Sequence, residues 1–242
     1  MAVARIFLHN APEFDVAAIP YPGMFAGALF VLLGICAGVA AVAYNRLLLL
    51  TLGVSDGFKR LPMEVRAAAI GAIVGLVAWL APDFVGGGES LAQQSLDGSF
   101  TGVVLATVFL LRFIMGPVSY ASATPGGLFA PILVLGAQLG LVFFAGCHVV
   151  FPHLDTPADA FAIVSMAALF TGIVRAPVTG IVLITEMTGS FTLLLPMLAA
   201  CFTAMLIPTL FNDPPIYTSL SEIDTRTARS AKEAGPELGA AG

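Results

Sequence analysis

An all-α integral membrane fold is predicted by the composition of the chain, by the length of its apolar runs and by the way glycine and proline cut them. Hydrophobic residues make up 58% of the 242 and charged residues only 10%, with a mean hydropathy of +0.97. That leaves too little polar surface to cover a water-soluble globule of this size. Runs of about 20 residues, long enough to cross a bilayer, alternate with shorter ones of the kind that make partial or re-entrant elements. Long tilted helices mixed with short, broken ones that meet near the bilayer midplane mark membrane folds built from inverted repeats, rather than a bundle of simple spans.

Taken in order, the first run, Met24 to Leu52, is nearly free of charge until Arg46. Arg66 to Ala81 is shorter, and Phe100 to Ser122 carries the single charge Arg112. Leu128 to Phe151 follows a glycine pair, and Ala160 to Val174, Pro177 to Met187 and Leu193 to Phe211 complete the series. Several of these are too short to span upright. Ahead of them, Met1 to Gly23 holds Pro12, Glu13, Asp15, Pro20 and Pro22 and lacks the apolar core of a signal peptide, so insertion relies on the later helices. Three regions follow: a leading segment over 1–22, a transmembrane domain over 23–220 and a polar tail over 221–242. The tail is rich in Ala, Glu and Gly, is expected to be frayed or weakly helical, and is too short for a regulatory domain.

The formal charge of -5 is spread over ends and loops, which points to neither nucleic acid nor an acidic substrate. Arg46, Lys59, Arg60 and Arg66 surround the Ser55 to Glu64 connection, and Arg226, Arg229 and Lys232 lie in the tail. His153 to Asp159 carries Asp155 and Asp159 and no Lys or Arg. The positive-inside rule therefore puts the first connection and the C-terminus in the cytoplasm and His153 to Asp159 outside. Cys36, Cys147 and Cys201 are odd in number, far apart and set in apolar runs, as small buried hydrophobes would be. His9, His148 and His153 lack ligand spacing, and neither H-E-x-x-H nor G-x-S-x-G occurs. No metal site, cofactor or catalytic residue is expected, and an intramembrane enzyme is disfavoured.

Four features coincide at Gly126-Gly-Leu-Phe-Ala-Pro131. Pro125 and the glycine pair break the preceding run, Leu128 and Phe129 supply amides at a new helix start, and Pro131 sits in the first turn, where its missing N–H matters little. The first turn of a helix leaves N–H groups without intrahelical partners at the positive end of the macrodipole, a ready anion site. Gly86-Gly-Gly-Glu89 is weaker and reads as a turn, since the lysine and hydroxyl residue of a phosphate loop are missing. Arg175-Ala-Pro177 punctuates two short apolar segments, and Glu186 closes the second of them. Arg112 reads as a snorkelling or paired structural arginine. Tyr217, after Asp213-Pro-Pro215, is either an interfacial aromatic anchor or a phenol aimed inward as an anion donor.

Gly86-Gly-Gly-Glu89, Gly126 to Pro131, the stretch Ile173-Val-Arg-Ala-Pro-Val-Thr-Gly-Ile-Val-Leu-Ile-Thr-Glu-Met-Thr188 and Pro215-Ile-Tyr217 together resemble the CLC family of chloride channels and chloride/proton antiporters. The resemblance runs from about residue 22 to 222, and the G-x-F-x-P pattern of Gly127, Phe129 and Pro131 is its most specific part. It implies a fold of two inverted halves per subunit in a homodimer, with this chain similar to the second half plus the last helix. It also implies a multi-pass protein of the cell membrane. The amides of Leu128 and Phe129, after Gly127 and ahead of Pro131, would bind the central chloride ion, and the Tyr217 hydroxyl would hold it from the other side. Helices over about 177–211 would form part of the dimer interface, and residues 1–22 would be the tail of the linker between the repeats.

The departures bound these expectations. The family's G-S-G-x-P loop and its G-K/R-E-G-P motif, whose glutamate gates and accepts the proton, are absent from these 242 residues, so neither gating nor proton coupling can be assigned. Glu89 and Glu186 lie outside the matching motif and do not replace that glutamate. The chain by itself is expected to be inactive and poorly stable, needing a first-half polypeptide or a full-length subunit as partner. The competing reading is a non-transporting assembly or modulatory subunit, or a truncated fragment, that pairs with full-length relatives.

Overall fold

The computed structural model describes residues 14, 24–57, 62–82, 93, 102–122 and 126–234. Among them are eight helices and no strand: α1 (Met24–Gly57), α2 (Met63–Leu80), α3 (Gly102–Tyr120), α4 (Phe129–Val150), α5 (Ala158–Val174), α6 (Pro177–Thr188), α7 (Leu194–Leu210) and α8 (Ile216–Ala234). Helices α1, α3 and α4 are long and apolar enough to cross a membrane, and α5, α6 and α7 are shorter apolar helices. With 34 residues, α1 is about 50 Å long against a hydrocarbon core of about 30 Å, so it must tilt or protrude.

At the centre stands α5, buried without interruption from Ala160 through Ile173. A helix that is apolar on every side needs a partner on every side. It finds them in α1, α4, α6 and α7. Two glycine pairs at four-residue spacing bring backbones together. A Cβ on Gly34 would stand 2.5 Å from the Ala200 carbonyl oxygen, and one on Gly38 2.7 Å from Ile207, which joins α1 to α7. A Cβ on Gly136 would meet Met166 at 2.6 Å, and one on Gly140 would overlap the Phe161 carbonyl, which joins α4 to α5.

Several boundaries differ from those the sequence suggests. Helix α1 runs to Gly57 rather than ending near Leu52, because polar groups tie its last turns down: Thr51 Oγ1 donates to the Leu48 carbonyl at 2.8 Å and Ser55 Oγ to the Ala121 carbonyl at 3.2 Å. Arg66 donates to the Ser55 carbonyl at 2.7 Å and so satisfies an end of that helix. The tail expected to fray is continuous helix as far as Ala234. Its alanines and charged residues are good helix formers, and Glu222 and Arg226 sit four apart in the favourable order. Cys147 and Cys201 are buried as expected, whereas Cys36 is only half-buried. The Gly86 to Glu89 motif lies outside the described residues.

Large apolar side chains remain exposed on the outside of the bundle. Trp79, Val103, Val182, Phe191, Leu195, Phe202 and Leu206 are among them. In water such a surface would aggregate, and in a bilayer it is the natural contact with lipid or another subunit.

Candidate functional site

Helix α4 starts at Phe129, and the residue before it, Leu128, has ordinary helical backbone angles and no side-chain cap. The first hydrogen bond of the turn runs from the Ile132 amide to the Leu128 carbonyl at 3.1 Å. Helical geometry leaves the amides ahead of Ile132 without intrahelical acceptors, and Pro131 contributes none. Meanwhile the side chains here turn into the protein. Leu128 is buried, and the Phe129 ring meets Phe170 edge-on with centroids 5.8 Å apart. What this segment can present is therefore its backbone. Gly126 and Gly127 are exposed, and a Cβ on Gly127 would find nothing nearer than the Phe129 nitrogen, at 4.0 Å.

The glycine pair, Leu128 and Pro131 form one wall of a cavity of about 540 Å³ between α1, α2, α3 and α4. Its polar lining includes Tyr44, Arg112, Ser119 and Tyr120, and no carboxylate is among the described residues that line it. The Tyr44 ring packs edge-on against Phe113 at 5.4 Å, and its hydroxyl is buried without a hydrogen-bond partner. Arg112 is nearly buried on α3 and engaged in an interaction of its own. Donors therefore outnumber negative groups on this wall, which favours an anion over a cation. Among the described residues no cluster of His, Cys, Asp or Glu is placed to hold a metal ion.

Tyr217 stands elsewhere, in the first turn of α8, and is 49% exposed. Tyr120, at the end of α3 and on the cavity wall, lies within electrostatic reach of it. The approach to α8 is governed by a charged knot. Asp213 is buried, with its side chain only 6% exposed, and accepts from Asn45 Nδ2 of α1 at 3.0 Å. Arg175 Nη2 donates to the Asp213 carbonyl at 2.6 Å and lies 3.9 Å from its carboxylate. Arg46, whose side chain is 57% exposed, approaches the same carboxylate at 3.8 Å. Arg175 also donates through Nε to the Gly172 carbonyl at 3.0 Å and through Nη1 to Thr209 Oγ1 at 3.3 Å.

Arg175 has a left-handed backbone, φ 64, at the C-terminal cap of α5. Glycine would be cheaper there. An arginine there carries backbone strain that its side chain offsets, with one hydrogen bond back to Gly172 of α5, one to Thr209 of α7, and a hydrogen bond and an ion contact to Asp213 of the α7–α8 linker.

Of the residues singled out from the sequence, Gly127, Leu128, Phe129 and Pro131 thus form one continuous helix start, and Tyr217 lies on another element. Glu186 is exposed on α6. The knot of Asn45, Arg175 and Asp213 was missed as a unit. Its one sequence signal is Asp213, an acid placed between a long apolar run and a proline pair.

Comparison with known proteins assigns the fold. The family model for the voltage gated chloride channel matches residues 1–209. The H(+)/Cl(-) exchange transporter ClcA of Cronobacter sakazakii is 36% identical over 224 residues, a stretch covering 90% of this chain and 47% of that protein. A slow cyanobacterial Cl-/H+ antiporter of known structure superposes with a TM-score of 0.84 at 27% identity, covering 92% of this chain and 52% of the antiporter. A CLC-type fluoride/proton antiporter shares the fold at 16% identity, with a TM-score of 0.70 over 85% of this chain and 50% of its own. The chain spans about half the length of these relatives. With the match extending through α6 and nearly all of α7, and the helix order shared with solved relatives, the chain belongs to the voltage gated chloride channel, or CLC, family.

Proposed function

We propose that this chain carries half of a chloride-transport pathway across a membrane, holding the ion by the amides of Leu128 and Phe129 and by the Tyr217 hydroxyl. The observation that carries the reading is the start of α4: an uncapped first turn preceded by the buried Leu128, with Phe129 half-buried against Phe170 and a glycine approach that leaves the backbone open. Partial charges from amides and a phenol attract chloride without the full charge that would trap it. Gly127 permits close approach, and Pro131 holds the turn without adding an N–H of its own. The exchange of chloride for protons by relatives supports the substrate class.

The rest of the reading follows from the same start. The amides face a site that needs a second wall, so these 242 residues alone are inactive and a first-half polypeptide completes them. The outer faces of α6 and α7, with Val182, Phe191, Leu195 and Phe202 exposed, serve as a subunit interface in a homodimer. The C-terminal helix lies on the cytoplasmic side of the cell membrane, where its basic residues belong. No enzymatic step and no cofactor are involved.

Chloride efflux from proteoliposomes tests this, using the purified chain with and without a first-half polypeptide at matched density. Flux only with the partner supports the proposal. Flux from the chain alone would remove the need for a second wall. Suppression of a full-length relative without flux of its own would make the chain a modulatory subunit.

A further inference from the structure

We propose that Asp213 is the positioning residue for the Tyr217 hydroxyl, clamped by Asn45 of α1 and Arg175 of the α5–α6 turn so that the phenol is set in place from behind. The inference rests on the reading of Tyr217 as an anion donor. Tyr217 does not fix itself by packing, being 49% exposed. The residues behind it do. Pro214 and Pro215 have φ held near the helical value by their rings, and Ile216 is fully buried. A fixed Asp213 therefore fixes the start of α8 and with it the Tyr217 Cα.

Asp213 is held on every side available to it. Its carboxylate receives Asn45 at 3.0 Å, its carbonyl receives Arg175 at 2.6 Å, and its own amide donates to the Pro208 carbonyl at 3.0 Å. Those partners come from three separate places in the chain: α1, the α5–α6 turn and α7. A buried ion pair is a poor way to add stability, because desolvation offsets much of the attraction, whereas hydrogen-bonded charges set direction well. Placed four residues before a half-exposed donor, the clamp is suited to orientation. Arg46, largely in solvent, is secondary to it.

The experiment labels the chain with 3-fluorotyrosine and follows the ¹⁹F resonances of its four tyrosines in lipid nanodiscs, with Tyr217 assigned by Tyr217→Phe. In Asp213→Asn the Tyr217 line is expected to broaden or shift by more than the line of Tyr44, the neighbour of Asn45 in α1. In the intact transporter, chloride affinity falls by roughly tenfold, the order for a misplaced hydrogen bond to a charged ligand. The same substitution adds nothing in a Tyr217→Phe background. An unchanged Tyr217 line, or a loss of affinity that adds fully to that of Tyr217→Phe, would overturn the proposal. If every line collapses because the variant unfolds, Asn45→Ala, which leaves Arg175 on Asp213, carries the same two readings. Should Tyr217→Phe leave chloride affinity untouched, the anion-donor reading fails, and the ¹⁹F lines still decide whether Asp213 places the tyrosine.

Discussion

Arg175 and Asp213, 38 residues apart in sequence, meet through a 2.6 Å hydrogen bond from guanidinium to backbone carbonyl, with the carboxylate 3.9 Å from the same nitrogen. The contact closes the α5–α6 turn onto the α7–α8 linker. Arg175→Ala is expected to destabilise the chain by about 3 kcal/mol, because it leaves a buried carboxylate short of its cation. Arg46→Ala, on the exposed side of the same acid, should cost less than about 1 kcal/mol. Thermal melts of both variants in one detergent check the contrast, and equal losses would refute it.

Glycine substitutions separate packing from propensity. Gly140→Ala places a methyl against the Phe161 carbonyl and should cost about 1–3 kcal/mol through overpacking. Gly27→Ala, with nothing within 4 Å of its Cβ position, should be neutral or gain up to about 1 kcal/mol from helix propensity. Urea-independent melting in nanodiscs gives the comparison, and a stable Gly140→Ala protein would contradict the close backbone contact.

Gln138 is fully buried on α4, with neither side-chain amide atom hydrogen-bonded. Replacing it with methionine keeps length and removes the unpaired polar atoms, so Gln138→Met is expected to stabilise by about 1–2 kcal/mol. A lower melting temperature would show that the amide has a use the fold needs.

At the proposed anion site, proline in place of Phe129 removes that N–H, and its ring also crowds Leu128, whose backbone is helical. Phe129→Pro should therefore weaken chloride binding in the intact transporter by roughly tenfold, the order for a hydrogen bond to a charged ligand. Phe129→Leu retains the amide and serves as the control for the lost ring contact with Phe170. Bromide binding followed by calorimetry distinguishes them, and equal affinity in the two variants would remove the amide from the site.

The sequence carried the helices well because apolar length and proline placement act locally: Pro177 starts α6 and the glycine pair precedes α4. The helix start at Phe129 was legible for the same reason. The charged knot was not. Asn45, Arg175 and Asp213 are brought together by the packing of α1, α5 and α7, and no spacing in the chain records a contact between residues 168 apart, such as Asn45 and Asp213. The tail, expected to be frayed or weakly helical, is helix as far as Ala234, in keeping with its i to i+4 charge order. Tyr217 was read from the sequence as following the last apolar helix, whereas it opens α8, and its exposure depends on what lies beside that helix.

The two seams of bare backbone, Gly34 and Gly38 on one side and Gly136 and Gly140 on the other, leave their helices without side chains to ride over one another. Contacts of that kind do not slide in small steps. Together with α5, which α1, α4 and α7 enclose, they weld four helices into a single chassis. The Asp213 contacts fasten the start of α8 to the same frame, so the part left to move against it is α2, whose main packing among the described helices is on α3.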